Sequence, residues 1–237
     1  GATADLCPNI TEAQVSNELL HGVPYVLRVD EFEQVAASWY SVMVRVVERY
    51  KRFNINADQY AYGLAAFRAG VHHTLVDGMM LSNPQMNSGE AWDMVDNLPQ
   101  VRCSQLRDSM TVPPLPLLQR RLPLFLHACQ WYSACPDGEE WPCAGYQKGS
   151  ATPVGWHFNK GHVPVKLFDC DRPLLARPPE DLFNVQRSKR GRRHAFMVCA
   201  LTASYNAAAE SGCQRNHSRL PCTRIVRSSN RYHVNTC

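Results

Sequence analysis

The ten cysteines of this 237-residue chain constrain its structure more than any other feature. A chain so rich in thiols either binds metal through closely spaced pairs or forms disulfides in an oxidising compartment. Only Cys129, Cys135 and Cys143 lie close together, and no two cysteines have the C-x-x-C spacing typical of zinc sites. The sequence therefore predicts a disulfide framework, and we expect no metal site.

Two glycosylation sequons accompany the cysteines, at Asn9 and at Asn216. N-linked glycans and persistent disulfides are both products of the secretory route in eukaryotes and their viruses. No apolar run approaches the roughly 20 residues that a membrane-spanning helix needs. We therefore expect a secreted, extracellular glycoprotein that has no transmembrane segment.

Composition and charge bear on the class of protein. The chain is 45% apolar and 19% charged, which is typical of a globular protein and not of a disordered one. Its net charge is only +4, whereas a nucleic-acid-binding domain usually has a denser basic face. We therefore expect no nucleic-acid partner.

The first half of the chain has the apolar spacing of helices. Thr11 and Gln14 fit a capping box that opens a short helix. Residues 30–53 carry apolar side chains at helical intervals, and a third helix is predicted from about residue 57 to Met79. Because the apolar face of the second helix is wide, we expect it to pack against a sheet or other helices.

The pattern of apolar and turn-forming residues changes after Cys129. Before it, helices are predicted at 90–98 and at 117–126; after it, short apolar runs between glycines and prolines predict strands. The predicted fold class is α+β, with a helical half followed by a β-rich half. We place the helical half at 7–128 and the β-rich half at 129–206 of one domain, 1–206, with a Cys-rich extension, 207–237, packed on the same domain.

A distinctive segment lies at the end of the predicted β-rich half. Two apolar runs, residues 174–185 and 195–201, flank a polar, basic stretch that contains Gly191. Both runs alternate as strands with one buried face do, and glycine readily adopts the positive φ that a tight reversal needs. The pattern predicts a β-hairpin with a basic tip.

The tip holds five cations within seven residues, which are Arg187, Lys189, Arg190, Arg192 and Arg193. Three interpretations remain open. The tip is a solvated loop, or a patch that binds polyanions such as heparan-like glycans or membrane head groups. The third is a convertase site cut at Arg190, as on a viral or parasite surface glycoprotein, which requires an exposed and flexible tip.

This segment resembles the closing strands of the vertebrate-type secreted or surface mono-ADP-ribosyltransferases. That family has an apolar triplet, a proline pair and x-E-x-F-x-V, then a strand that ends in S-x-Y-N; residues 174–185 and 204–206 are similar to these motifs. Fragments at 39–50, 60–69 and 118–125 resemble the family's helices in the same order. The resemblance covers roughly residues 7–206 and implies a two-sheet core around a central crevice.

The resemblance also implies an NAD site built from three motifs. In that family a Tyr-Arg-Gly strand supplies an arginine to the phosphates, a Ser-x-Ser strand orders the site, and a Glu-x-Glu turn supplies the catalytic glutamate. Here Tyr132 matches the tyrosine, but Ser133 and Ala134 replace the arginine and the glycine. Ser150 and Thr152 correspond to the second motif.

Shorter acids replace the third motif. Asp169 and Asp171 precede the proline pair, and Glu180 lies after it, where the family has a non-catalytic acid. The side chain of an aspartate is about one methylene shorter than that of the catalytic glutamate, so its carboxylate would stop short of the NAD ribose. A displacement of about 1 Å can cost roughly 100-fold in rate. We therefore expect a protein that no longer catalyses, uses no cofactor and binds an extracellular protein or glycan. The alternative is an NAD-dependent mono-ADP-ribosyltransferase or NAD glycohydrolase whose rearranged site uses Asp169, Asp171 or Glu180.

Two smaller features complete the sequence. His157, Lys160 and His162 could serve a secreted nuclease, although a hairpin with exposed histidines explains the same pattern.

In the resembling family an early cysteine pairs with one near the end of the chain. That implies a disulfide between Cys7 and one of three later cysteines, Cys213, Cys222 or Cys237.

Overall fold

The structure is a computed structural model, and it describes residues 11, 14, 25–50, 57–106, 125–140, 143, 155–163, 174–216 and 225–226. The chain divides into two compact units, Gly1–Val76 and Asp77–Cys237. Each unit has a hydrophobic core of its own.

Within residues 25–76, the described part of the N-terminal unit contains the helices α1 (Val29–Tyr50) and α2 (Ala57–Arg68). Acidic residues lie in the first turn of α1, where the helix dipole favours negative charge. The backbone N–H of Arg28 donates to the carboxylate of Glu31 at 3.0 Å, which satisfies a donor at the start of this helix. The predicted helix at 30–53 is therefore confirmed over most of its length.

The apolar face of α1 is only partly covered. Val35, Val42 and Val46 are at most 2% exposed and share one core with the alanines and Tyr62 of α2. Phe32 and Val47, by contrast, are 53% and 50% exposed. The helix packs against another helix, as expected, but α2 covers a single stripe of a wider apolar face.

Gly70 ends α2 earlier than the sequence predicts. Its φ of 68° lies in the left-handed region, and the backbone N–H of Val71 donates to the Ala66 carbonyl at 2.9 Å. The Gly70 N–H donates to the Phe67 carbonyl at 3.1 Å, which completes a Schellman motif. The prediction that this helix continues to Met79 is therefore wrong.

The predicted capping box near the N-terminus is confirmed. The backbone N–H of Thr11 donates to the side-chain oxygen of Gln14 at 2.9 Å, and the N–H of Gln14 donates to the Thr11 hydroxyl at 3.2 Å. Gln14 is helical. These reciprocal bonds satisfy two donors at the start of a helix.

The C-terminal unit combines short strands with two further helices, α3 (Trp92–Asp96) and α4 (Lys189–Asn216). Strand β1 (Met80–Leu81) pairs in parallel with β2 (Phe125–Leu126), and β3 (Tyr132–Ala134) pairs antiparallel with β4 (Trp156–Phe158). Strand β5 (Leu174–Leu175) pairs in parallel with β6 (Ile225–Val226). A 3-10 turn at Lys160–His162 follows β4.

Helix α4 occupies the centre of this unit and overturns the predicted β-hairpin. Residues 195–201, predicted to be the second strand, lie within α4 and are all less than 9% exposed. The helix contacts α3, β3, β4 and β5, so every side of this stretch meets protein. A continuous apolar run buried all round has no periodicity that separates helix from strand, which is why the prediction failed.

Neighbouring predictions fail with the hairpin. Gly191 lies inside α4 and not at a reversal with positive φ. The S-x-Y-N motif at 204–206 is helical, and α4 continues across the predicted boundary at 206/207. Phe125 and Leu126, predicted to end a helix, form β2.

Two disulfides confirm the predicted disulfide framework. Cys103 joins Cys199, which links the helical residues 103–106 to α4, and Cys135 joins Cys143. Cys129 is the one free cysteine in the part of the chain that the structure describes. The disulfide implied for Cys7 lies outside that part.

The coarse fold class is confirmed as mixed helix and strand, but the predicted β-rich half contains much of α4 beside β3, β4 and β5. The described strands pair as three separate two-stranded sheets. The two-sheet core that the resemblance implies stays a prediction. In the described ranges, no helix has both the length and the apolar character to cross a bilayer.

Candidate functional site

Tyr132, predicted to contact NAD, is part of the core. It is 0% exposed, and its hydroxyl lies 2.6 Å from the Ser82 carbonyl and 2.9 Å from the His127 carbonyl, to which it donates. Burial raises the pKa of Tyr132 well above its ordinary value. The hydroxyl therefore joins two backbone segments and is held away from solvent.

Glu180, the one predicted catalytic acid that the structure describes, caps a helix. Its carboxylate accepts hydrogen bonds from the Ser104 N–H at 3.0 Å and from the Ser104 hydroxyl at 2.6 Å. Its backbone carbonyl accepts from the Cys103 N–H at 3.0 Å. These bonds satisfy donors at the start of the helical residues 103–106. Glu180 lines a small recess of about 40 Å³ beside the Cys103–Cys199 disulfide.

Several predicted site residues lie outside the described residues. They are Asp169, Asp171, Ser150, Thr152 and Asn9. Asn216, the second predicted glycosylation site, is the last residue of α4. The catalytic and cofactor-binding assignments of the first four therefore stay predictions.

Arg193 of the predicted basic tip is buried. It is 3% exposed, and its guanidinium donates to both oxygens of Asp96, at 2.8 and 2.5 Å. It also donates to the Pro84 and Met86 carbonyls at 3.2 and 2.7 Å, and it lies over the Trp92 ring. These hydrogen bonds compensate for burying the charges of the guanidinium and of the Asp96 carboxylate in the core.

Three more of these cations have partners within the same unit. Lys189 lies 2.9 Å from an Asp96 oxygen, Arg192 donates to the Leu98 carbonyl at 2.8 Å, and Arg187 pairs with Glu139. The predicted loop is wrong, because residues 189–193 are the start of α4. Arg193 is buried and cannot join a polyanion patch, whereas the side chains of Arg187 and Lys189 are 71% and 62% exposed, and a patch that includes them stays a prediction.

Arg190 is exposed, as Arg187 and Lys189 are, and it lies in the first turn of α4. The backbone N–H of Gly191 next to it donates to the Ser188 hydroxyl at 3.0 Å, which caps the helix. A processing protease requires a flexible segment, and this residue belongs to a capped helix. The structure therefore contradicts the flexible tip on which the predicted cleavage at Arg190 depends.

A cleft of about 470 Å³ opens beside Arg190. The start of α4, strand β3, the turn that follows β3 and the loop after β1 contribute to its walls. The residues that line it are Gln85, Gln130, Trp131, Ser133, Glu139, Glu140, Gln186, Arg190, Gly191 and His194. The volume is in the range of small-molecule sites.

Two histidines meet Ser133 at the wall of this cleft. Ser133 pairs with His157 across the β3–β4 ladder, and its hydroxyl oxygen lies 2.8 Å from His157 Nδ1. The Ser133 N–H donates to His194 Nδ1 at 3.3 Å. Because Nδ1 of His194 accepts this bond, its neutral ring carries the proton on Nε2. The predicted hairpin with exposed histidines is therefore wrong for His157.

The environment of these histidines makes them poor catalysts. Burial lowers the pKa of His157 to about 4. Burial, with the nearby Arg190, lowers the pKa of His194 to about 4, although Glu140 opposes the shift. A general base works best when its pKa is near the operating pH, so His157 would be a weak base for Ser133 at neutral pH. Ser133 is also only 9% exposed.

Gln186 brings an unsatisfied acceptor to the cleft. The residue is 5% exposed, and its Nε2 donates to the Cys135 carbonyl at 2.7 Å and to the Leu182 carbonyl at 2.9 Å. Two carbonyl acceptors fix the orientation of the amide, because a flipped amide would set its oxygen against both of them. Its Oε1 is buried and accepts no hydrogen bond from the described residues. Buried acceptors normally have a donor.

Charges around the cleft balance. Glu139 pairs with Arg187, while Glu140 and Arg190 act in opposite directions on the nearby His194. The low pKa values of His157 and His194 keep both rings neutral at pH 7. Within the described ranges, no group of three or more His, Cys, Asp or Glu side chains could hold a metal ion.

Most of this site had no signal in the sequence. Gln186 and His194 flank the predicted basic tip, and they reach the cleft because α4 forms where a hairpin was expected. Trp131 and Ser133 are two residues apart, so an extended chain turns both side chains to the same side, but only the paired β4 shows that Ser133 meets a histidine. Comparison with models of known protein families, with curated proteins and with solved structures found no match to this chain.

Proposed function

We propose that this protein is a secreted, disulfide-stabilised glycoprotein that acts by binding a partner and not by catalysis, and that its cleft beside Arg190 is the binding site. One observation carries the proposal. The described residues assigned to NAD chemistry hold the fold together instead: Tyr132 joins two backbone carbonyls, and Glu180 caps a helix.

The rest of the cleft supports binding over turnover. The Ser133–His157 pair has the spacing of a nucleophile and its base, but burial leaves the base with a pKa of about 4. Trp131, by contrast, is 50% exposed at a polar cleft of small-molecule size. A few polar groups around an exposed aromatic ring are typical of ligand sites.

An ADP-ribosyltransferase-like fold belongs to this proposal as the origin of the scaffold. Its support is the order of the resembling fragments and the position of β3, which follows Cys129 where the family's first catalytic strand is expected. Helix α4 is the departure from that family, since it replaces the predicted closing strands. Under this proposal the scaffold is retained while NAD binding is lost.

NAD turnover tests the non-catalytic half of the proposal. The disulfide-intact protein, secreted from eukaryotic cells, is titrated with NAD in a calorimeter and assayed for nicotinamide release with and without an arginine-rich acceptor. We expect neither heat of binding nor release of nicotinamide. Saturable NAD binding with nicotinamide release that Asp171→Asn abolishes would overturn the proposal and establish the alternative enzyme.

Cell-surface binding tests the other half. Fluorescently labelled protein is added to intact eukaryotic cells and measured by flow cytometry. We expect saturable binding that Trp131→Ala weakens and Tyr40→Ala leaves unchanged, because Tyr40 is an exposed aromatic residue of the N-terminal unit. Equal loss in both variants, or binding to none of a broad panel of cells, would contradict a role for the cleft.

A further inference from the structure

We propose that the ligand of the cleft is a neutral carbohydrate, the terminal sugar of a glycan, with Trp131 stacked on the sugar and polar groups of the cleft bonded to its hydroxyls. This inference rests on the proposed function and names its ligand class. It is carried by the hydrogen-bonding chemistry of the cleft, by its charge balance and by the aromatic ring at its edge.

The hydrogen-bonding groups of the cleft require a ligand that donates and accepts. Glu139 and Glu140 line the cleft with carboxylate acceptors. Gln85 and Gln130 carry amides that can do both, and Arg190 adds a donor. A sugar hydroxyl donates one hydrogen bond and accepts others, so adjacent hydroxyls suit this mixture. A purely apolar ligand would leave these groups unpaired.

Charge argues against an ionic ligand. The two carboxylates, Glu139 and Glu140, face two guanidinium groups, Arg187 and Arg190, and His194 is neutral at pH 7. The start of α4 could favour an anion through its dipole, but the Ser188 hydroxyl already accepts from the Gly191 N–H. Acceptors such as the Glu140 carboxylate would repel a phosphate, a sulfate or a carboxylate. A neutral ligand meets none of these penalties.

Trp131 supplies the flat apolar surface. It is 50% exposed and lines the same cleft as the amides and carboxylates. The C–H face of a pyranose is apolar while its edge is polar, so an aromatic ring beside hydrogen-bonding groups contacts both kinds of surface at once. The arrangement therefore distinguishes a sugar from a small polar metabolite that has no apolar face.

A glycan array identifies the sugar, and calorimetry then measures its affinity. The array carries neutral glycans ending in hexose, N-acetylhexosamine or fucose, together with sialylated and sulfated forms. We expect binding to neutral termini. The free methyl glycoside of the best neutral terminus should bind with an affinity that changes less than twofold between 50 and 500 mM salt, because no ion pair is formed.

Variants connect that binding to the cleft. Trp131→Ala should weaken the affinity by on the order of tenfold, and Trp131→Phe should restore most of it, because a phenyl ring keeps the stacking face. Tyr40→Ala, the matched control, should leave the affinity unchanged. Circular dichroism melting of each variant checks that the fold is intact, as expected for residues that are 50% and 81% exposed.

The outcomes separate this inference from the proposed function. Binding only to sulfated or sialylated glycans, or neutral binding that ignores Trp131, would overturn the neutral-sugar assignment. Cell binding that survives periodate oxidation of glycans but is lost after protease treatment would also overturn it and would leave the binding function in place. NAD turnover would overturn the proposed function whatever the array shows.

Discussion

Each of the two units of this protein is stabilised internally by a different kind of interaction. In the N-terminal unit, α1 and α2 share a stripe of valines and alanines around Tyr62. In the C-terminal unit, the Cys103–Cys199 disulfide, the buried Arg193–Asp96 pair and the aromatic and aliphatic core all involve α4. The cleft beside Arg190 therefore belongs to the unit in which a disulfide and a buried ion pair fix polar groups in place, and not to the unit built on an apolar helix pair.

Removing the long-range disulfide should sharpen this comparison most. The chain-entropy relation gives about 4 to 5 kcal/mol of unfolding free energy for Cys103–Cys199, whose partners are 96 residues apart. It gives about 2 to 3 kcal/mol for Cys135–Cys143, which are 8 residues apart. Double Cys→Ser variants of each pair, compared in urea unfolding, check the order. Cys129→Ser is the control and should cost little, because this cysteine is free.

Hydrogen exchange then shows where that disulfide acts. Loss of Cys103–Cys199 should speed amide exchange in α4 and leave α1 and α2 protected. Equal loss of protection in both units would break the distinction between them.

The next largest effect is expected from the arginine–aspartate pairs of the two units. Arg193→Ala leaves two carbonyls without their donor and Asp96 with only the exposed Lys189 as its cation, and breaking a buried pair costs about 3 to 5 kcal/mol. Arg28→Ala removes an exposed pair with Asp30 and should change stability little. Urea midpoints measured for both variants check the contrast. A destabilisation of similar size in the two variants would contradict it.

Glycines with positive φ offer a third test. Gly138 has a φ of 78°, and an added Cβ would collide with the Val185 carbonyl, whose carbon would lie 2.9 Å away. Gly70 has a φ of 68° and open space around it. Gly70→Ala should cost about 1 kcal/mol for left-handed strain, while Gly138→Ala should cost clearly more, since the clash adds to about the same strain. Thermal melting of the two alanine variants would refute this account if their losses were equal.

A pH dependence concentrated in the C-terminal unit offers a fourth test. His157 and His194 have folded pKa values of about 4 against an ordinary value of 6.5, mainly because they are buried. The unfolded chain therefore binds protons first on acidification, so stability is full above about pH 6.5 and falls as the pH approaches 4. Each ring contributes a slope of at most about 1.4 kcal/mol per pH unit.

The N-terminal unit has a weaker version of this response. Burial lowers the pKa of His73, which lies 2.7 Å from the Tyr62 hydroxyl, although Glu31 opposes the shift.

Urea unfolding between pH 7.5 and 4.5 checks the pH dependence of the C-terminal unit. The free energy of unfolding should fall less on acidification in His157→Gln than in the unaltered chain. Identical pH profiles would mean that His157 stays solvated in the folded protein.

The sequence predicted the elements that depend on local patterns. The capping box at Thr11 and the helix α1 follow from side chains that act within a few residues of themselves. The disulfide framework followed from cysteine number and spacing, although the pairing of Cys103 with Cys199 did not. A pairing across 96 residues depends on which elements meet in space.

The sequence by itself determined that this chain would be a disulfide-bonded protein of mixed helix and strand, because composition and periodicity report burial and local propensity. Only the tertiary structure decided that residues 195–201 form a buried helix, that Arg193 is paired with Asp96, and that Glu180 caps a helix. An apolar run has the same letters in either secondary structure, and a cation has the same letter in solvent or in the core. Their environments are set by partners up to 109 residues away.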